Sequence, residues 1–177
     1  MSCCSMESWP ALSRREAMSG AVALGAGLSL LARPGMARAA GHAEALLLSC
    51  MDYRLMNDVE AYMDGRGLKE NYDHVILAGA SLGAVNTTYP AWRDVFFTHL
   101  DLAVQLHDVH RVIVIDHRDC GAYKLLLGEA SVKDPATELA SHVAQLYLLR
   151  TAIGEKHPHM AVELGLMGLD GKVTPIA

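Results

Sequence analysis

Three side chains of types that commonly bind metals follow two short apolar runs in this sequence. Cys50 follows the run 46–49, while His117 and Cys120 follow the run 112–115. Two thiolates and one imidazole satisfy three positions of a tetrahedral zinc ion. They leave the fourth position for water or substrate, as in catalytic rather than structural zinc sites. The sequence therefore predicts a zinc site formed by Cys50, His117 and Cys120.

Charged and small residues next to these candidates add to the predicted site. Asp52 and Arg54 follow Cys50 at alternate positions, so they would face one side with it if extended backbone continues through them. The two side chains could then form a charge-assisted pair beside the thiolate. Gly121 permits a tight backbone turn after Cys120, where nearby amide groups would help to stabilise a second thiolate.

The elements that must position these residues alternate along the chain. Strands are predicted at residues 45–49, 74–78, 112–116, 160–167 and 172–176, and helices at 56–65, 90–107 and 134–153, with a loop at 79–83. This order predicts an α/β fold with a mostly parallel β-sheet flanked by helices. Sites in such sheets form at the carboxyl ends of strands, which is where both motifs lie.

The two motifs together resemble those of the β-class carbonic anhydrases. Cys50-Met-Asp52-Tyr-Arg54 is similar to the family's Cys-x-Asp-x-Arg, and His117-Arg-Asp-Cys120-Gly121 to its His-x-x-Cys-Gly. Ala78-Gly79 after the second strand and the segment 163–171 are also similar to the family. The order of elements agrees over nearly the whole chain after residue 40.

This resemblance implies a function and a set of roles. Cys50, His117 and Cys120 would hold Zn²⁺, and zinc-bound hydroxide would reversibly hydrate carbon dioxide to bicarbonate. Asp52 would accept a hydrogen bond from the zinc-bound water or, in a closed form of the site, become the fourth ligand, with Arg54 holding it in the first role. The family also implies a homodimer or a multiple of dimers and a small-molecule substrate.

Departures from the family pattern leave the substrate open. Where the family commonly has Arg-Asn, this chain has Ile76-Leu77, and a substrate-pocket Gln has no counterpart near Gly41-His42. Carbonyl sulfide and carbon disulfide hydrolases share the zinc motifs and are an alternative. A zinc-binding protein without turnover is a second alternative, although Asp52 and Arg54 would then have no purpose.

Three further interpretations concern individual residues. A disulfide between Cys50 and Cys120 suits an oxidising compartment but leaves His117 unexplained. The stretch 79–83 fits the spacing of a Gly-x-Ser-x-Gly nucleophile motif, but no Asp and His follow in a recognisable context, so Ser81 is predicted to be a loop serine. Four histidines could relay protons or simply lie on the surface, namely His42, His74, His107 and His110.

The N-terminus has the features of an export signal. Ser13-Arg14-Arg15 precedes the apolar run 20–32, and Ala37-Arg38-Ala39 fits a cleavage site. The paired arginines indicate the twin-arginine route and a periplasmic location. We therefore predict a signal at residues 1–39, a zinc domain at 40–177, and no stable membrane anchor after cleavage, since the apolar run is shorter than the roughly 20 residues of a spanning helix.

The charge of the predicted mature chain excludes one class of partner. Without residues 1–39 the chain keeps 11 basic and 18 acidic side chains. An acidic protein without a basic stripe is not expected to bind nucleic acid.

Overall fold

The structure is a computed structural model that describes residues 41–177, in which helices and strands alternate. The strands are β1 (Ala45–Cys50), β2 (Tyr72–Leu77), β3 (Arg111–His117), β4 (Ala161–Met167) and β5 (Val173–Ile176). The helices are α1 (Met56–Gly65), α2 (Ser81–Val85), α3 (Pro90–His107), α4 (Gly121–Leu127) and α5 (Pro135–Lys156). In this part of the chain no helix combines the length and the apolar character needed to cross a membrane.

The five strands form one sheet in the order β2-β1-β3-β4-β5. The first four strands are parallel to one another, and only β5 runs antiparallel, beside β4. The predicted α/β fold with a mostly parallel sheet is therefore confirmed. The central strands β1 and β3 end at Cys50 and His117, so both motifs lie at the carboxyl ends of neighbouring parallel strands.

Both faces of the central strands are buried, which explains why their sequences are almost continuously apolar. Leu46 and Leu48 of β1 belong to a core on one face, together with residues of α3 and α5. Leu47 and Ile113 belong to a second core on the other face, which α1 covers. Each fully buried leucine contributes about 1.5–3 kcal/mol relative to an exposed one. The two cores therefore hold β1 and β3 in place between the helices.

The helix α5 begins where its sequence predicts. The carboxylate of Asp134 accepts hydrogen bonds from the backbone N–H groups of Ala136 and Thr137, and Pro135 occupies the first turn. Such an N-cap satisfies backbone donors that have no partner within the helix. The helix then continues to Lys156, three residues beyond the predicted end.

Two local predictions near the site are wrong. Extended backbone does not continue through Arg54, because Tyr53–Leu55 forms a 3₁₀ turn in which the side chain of Asp52 accepts a hydrogen bond from the N–H of Arg54. Ser81 is not a loop residue, since it begins α2 and is fully buried. The carboxylate of Asp52 accepts from an N–H two residues away, which is a local alternative to extended structure that periodicity does not detect. The N–H of Ser81 instead donates to Asp116, which is 35 positions away in the sequence.

Candidate metal centre

The sheet brings Cys50, His117 and Cys120 together. Cys50 and His117 are the last residues of β1 and β3, and Cys120 directly precedes α4. The ligand atoms of the three residues all lie within 4.8 Å of one another, and the two sulfurs are 3.9 Å apart. Among residues 41–177, this is the one group of three or more such side chains that is close enough to share a metal ion.

The hydrogen bonds of His117 leave one ring nitrogen available. Its Nδ1 lies 2.9 Å from the carbonyl oxygen of Arg118, which can only accept, so Nδ1 carries the proton. Nε2 is buried and has no hydrogen-bond partner. An imidazole that donates through one nitrogen to a carbonyl and presents the other to its neighbours is arranged as a metal ligand. The donor set therefore fits a metal ion of the zinc type.

The thiols of Cys50 and Cys120 affect each other's protonation. The hydrogen bond with Cys120 is the main reason that the pKa of Cys50 lies well below that of an ordinary thiol, and His117 and the N–H of Gly79 lower it further. The same hydrogen bond, together with burial, raises the pKa of Cys120. Burial lowers the pKa of His117, but Cys50 and other neighbours outweigh it and leave the pKa raised. A cation would replace these shared protons, because metal ions bind the deprotonated thiols.

The predicted pair of Asp52 and Arg54 forms, although on a turn rather than a strand. Nε and Nη2 of Arg54 donate to the two oxygens of Asp52 at 3.0 and 2.8 Å. These hydrogen bonds lower the pKa of Asp52 to about 2. Oδ2 of Asp52 lies 3.9 Å from Nε2 of His117, so the carboxylate borders the group of candidate ligands.

The loop between His117 and Cys120 is held from two sides. Arg54 donates to the side chain of Asp119 at 2.8 Å and to its carbonyl at 3.0 Å. Glu138 of α5 accepts from the N–H of Asp119 at 2.6 Å. Asp119 adopts a positive φ of 57°, so these contacts hold a backbone conformation that residues with side chains rarely adopt.

The loop before α2 contacts the thiolate side of the centre. The N–H of Gly79 lies 3.3 Å from Sγ of Cys50. Gly79 has a φ of 79°, and a Cβ atom there would approach Cβ of Ala122 to 3.1 Å. A glycine therefore lets this backbone pass close to the sulfur and donate to it.

Sequence reasoning missed Asp116, Tyr123 and His142, which form a buried hydrogen-bonded group next to the candidate ligands. The available sign was an acidic residue at the end of the otherwise apolar run 112–115. The hydroxyl of Ser81 donates to Asp116 at 2.7 Å. Ser81 is fully buried, so this arrangement gives no support to a serine nucleophile.

The other candidate residues are placed as follows. Cys50 and Cys120 are free thiols, and sulfurs 3.9 Å apart are far beyond the roughly 2.05 Å of a disulfide bond. His42, His107 and His110 precede the strands β1 and β3, at the end of the sheet opposite the centre.

Comparison with known proteins agrees with this geometry. The sequence pattern of a protein family described as "Putative carbonic anhydrase" matches residues 40–157. An uncharacterized protein of Rickettsia conorii is 40% identical over 134 residues, which are 76% of this chain and 72% of that protein. An uncharacterized protein of Rickettsia bellii is 38% identical over 134 residues, 76% of this chain and 82% of its own.

Solved structures show the same fold. The β-carbonic anhydrase isoform I of Trichomonas vaginalis matches with a TM-score of 0.50 and 18% identity, over 76% of this chain and 84% of that one. The wild-type β-carbonic anhydrase CafD of Aspergillus fumigatus matches with a TM-score of 0.50 and 12% identity, over 85% and 95% of the two chains. At these identities the likeness concerns the fold alone. The match of the family pattern to residues 40–157, which are most of the chain, shows that the protein belongs to the family described as "Putative carbonic anhydrase".

Proposed function

We propose that Cys50, His117 and Cys120 bind one Zn²⁺ per chain and that the protein reversibly hydrates carbon dioxide to bicarbonate. The observation that carries the proposal is the buried Cys/His/Cys group in which Nε2 of His117 has no other partner. When bound, zinc would supply the acidity that turns water into a nucleophile near neutral pH. Family membership supports the same reaction.

Asp52 would provide a hydrogen-bond acceptor beside the ligands. With a pKa of about 2 its carboxylate is ionised at any pH at which the protein would work. Arg54 occupies both carboxylate oxygens through its fork of N–H groups, which keeps the carboxylate oriented. A substrate or water molecule that carries a proton would therefore meet a fixed acceptor. Asp52 moving to the metal as a fourth ligand would require the bonds to Arg54 to break.

The test measures zinc and turnover on the same preparations. We expect about one zinc per chain and carbon dioxide hydration that is abolished in Cys120→Ser, because a Cys/His/Cys site loses one of its three ligands. The matched control is Thr88→Ser, a change at an exposed position outside the centre. A wild-type chain without zinc, or with a Cys50–Cys120 disulfide in fresh protein, would contradict the proposal.

A second substrate class uses the same centre. Leu77 pairs in register with Cys50, so an apolar residue lies beside the ligand where the family commonly has an asparagine. This apolar surrounding favours carbonyl sulfide or carbon disulfide as an alternative substrate. Zinc-loaded protein that releases sulfide but does not hydrate carbon dioxide would establish this alternative. Zinc without any turnover would indicate a zinc-binding protein.

We further propose that residues 1–39 direct export by the twin-arginine route and that residues 40–177 act in the periplasm. The basic, apolar and small-residue order of that segment supports the proposal. The mass of the protein recovered from the periplasm would show whether the chain begins near Ala40. An unprocessed chain in the cytoplasm would contradict it.

We also propose a homodimer or a multiple of dimers. The strand β2 lies at the edge of the sheet, where Ile76 is exposed, and such an edge can pair with another chain. Analytical ultracentrifugation would test this, and a monomer at high concentration would contradict it.

A further inference from the structure

Asp116 places a carboxylate inside the core, directly before His117 in β3. It is 1% exposed. Oδ1 lies 2.9 Å from the N–H of Ser81, and Oδ2 lies 2.7 Å from its hydroxyl. Oδ2 also lies 2.6 Å from the hydroxyl of Tyr123 and 2.9 Å from Nδ1 of His142. The carboxylate oxygens of Asp116 thus accept from two groups of Ser81, one of Tyr123 and one of His142. We call these four residues the Asp116 hub.

The members of the hub come from elements that carry or contact the candidate ligands. Asp116 shares β3 with His117, and Tyr123 follows Cys120 by three residues in α4. The third candidate ligand is Cys50, whose sulfur is contacted by the N–H of Gly79. Ser81 lies two residues after Gly79. His142 ties the same carboxylate to the long helix α5. One side chain thus connects the structural supports of all three ligands.

The loop between Gly79 and Ser81 shows that the hub holds a conformation the chain would not adopt alone. Ala80 has a φ of 41° and a ψ of −101°, a region that residues with a Cβ rarely occupy. Such a conformation persists only where the surrounding contacts determine it. Here Gly79 is bonded to Cys50 on one side of Ala80, and Ser81 is bonded twice to Asp116 on the other.

A hydrophobic residue would fill this part of the core at lower cost. A buried carboxylate must be separated from water and is tolerated only when its hydrogen bonds are satisfied. All the members of the hub are buried, so the carboxylate cannot reach solvent or substrate. Asp116 therefore acts by positioning the groups that donate hydrogen bonds to it, and not by contacting the substrate.

We propose that Asp116 is a positioning residue of the metal centre, and that the Asp116 hub sets the spacing of Cys50, His117 and Cys120 and thereby the affinity and geometry of the bound metal. This inference rests on the metal binding in the proposed function but not on the hydration of carbon dioxide. Groups that orient metal ligands from outside typically change metal affinity or activity 10–100-fold when they are replaced.

The experiment compares metal affinity and metal geometry in matched variants. Asp116→Asn keeps the size of the side chain but turns one acceptor into a donor that faces other donors. Ser81→Ala and Tyr123→Phe each remove one hydroxyl. Asp101→Asn is the control, since that aspartate is exposed and bonded to Lys156 rather than to the hub.

We expect Asp116→Asn to weaken zinc binding by about 10–100-fold in competition with a chromogenic chelator. The visible absorption of the Co²⁺-loaded protein should also change, because its bands depend on the angles between the ligands. Ser81→Ala and Tyr123→Phe should produce smaller changes in the same direction. Asp101→Asn should match the wild type in both measurements.

A role in core stability alone would give another result. Variants that are less stable to urea but bind zinc with unchanged affinity, and give an unchanged Co²⁺ spectrum, would overturn the inference. If Asp116→Asn does not fold, Ser81→Ala provides the same test, because it retains the backbone donor. Wild-type protein that binds neither metal would overturn both this inference and the proposed function, whereas zinc binding without hydration would overturn only the proposed reaction.

Discussion

The candidate metal centre is held from two sides that differ in their contact with water. On the outer side, Arg54 connects Asp52 to Asp119, and the side chains of Arg54 and Asp119 are 36% and 70% exposed. On the inner side, the Asp116 hub is buried. Both sides consist of a carboxylate that accepts several hydrogen bonds, yet their surroundings are opposite.

This difference in exposure predicts that the outer side orients groups at the centre, whereas the inner side also stabilises the fold. Ion pairs at the surface contribute only about 0–1 kcal/mol to the free energy of unfolding, because water competes for the charges. A buried charge whose partners are removed costs about 3–5 kcal/mol. Changes on the outer side should therefore alter turnover with little effect on folding, and changes on the inner side should alter both.

The largest effect is expected where the two sides meet, at the candidate ligands themselves. His117→Ala removes the nitrogen that would complete the Cys/His/Cys set, so zinc content and carbon dioxide hydration should both fall to background. Metal analysis and stopped-flow hydration measure this. The control is His99→Ala, an exposed histidine on α3. A variant that retains zinc and turnover would show that the centre lies elsewhere.

The next largest effect is expected on the inner side. Asp116→Ala leaves the donors of Ser81, Tyr123 and His142 without their acceptor. At about 1–3 kcal/mol for each unsatisfied buried donor, we expect a loss of at least about 3 kcal/mol in the free energy of unfolding. Urea unfolding of zinc-free protein measures the loss, and Asp94→Ala, at an exposed aspartate, is the control. A loss below about 1 kcal/mol would contradict the distinction between the two sides.

On the outer side we expect turnover and stability to respond differently. Arg54→Ala removes the fork that orients Asp52, so hydration should fall by about 10–100-fold. The free energy of unfolding should change little, because water competes for the charges of an exposed ion pair. Lys124→Ala, which removes an exposed ion pair with Glu129, should change neither quantity appreciably. Equal losses of activity and stability in Arg54→Ala would remove the contrast with the inner side.

The smallest effect is expected in how the free energy of unfolding depends on pH under acidic conditions. The pKa of Asp52 is lowered from 3.8 to about 2 in the folded chain, chiefly by Arg54. The ionised carboxylate thus stabilises the folded state above pH 3.8, and this contribution is lost as the pH falls through about 2. Because Arg54 is exposed, the contribution should stay below about 1 kcal/mol.

Zinc-free Asp52→Asn should therefore lose slightly less stability between pH 4 and pH 2 than the zinc-free wild type does. Asp94→Asn, at an exposed position in α3, serves as the control. If the free energy of unfolding of Asp52→Asn and of the wild type falls equally between pH 4 and pH 2, the ion pair with Arg54 does not form in solution.

The sequence predicts much of this fold because its information is local. The apolar runs before Cys50 and His117 mark central strands, since only strands covered on both faces are continuously apolar. Asp134-Pro135 marks the start of α5 through the chemistry of a helix cap. The parallel order follows from the alternation of strands and helices, and it brings the carboxyl ends of the strands together.

The sequence by itself determined which residues would meet at the carboxyl ends of the strands, because strand ends are encoded by neighbouring residues. It did not determine what holds them there. Arg54 and Asp119 are 65 positions apart, and Ser81 and Asp116 are 35 apart, so no local pattern relates them. Only the tertiary structure decided that one carboxylate would lie among water and ion pairs and the other within the core, because burial depends on elements distant in the chain that pack against each residue.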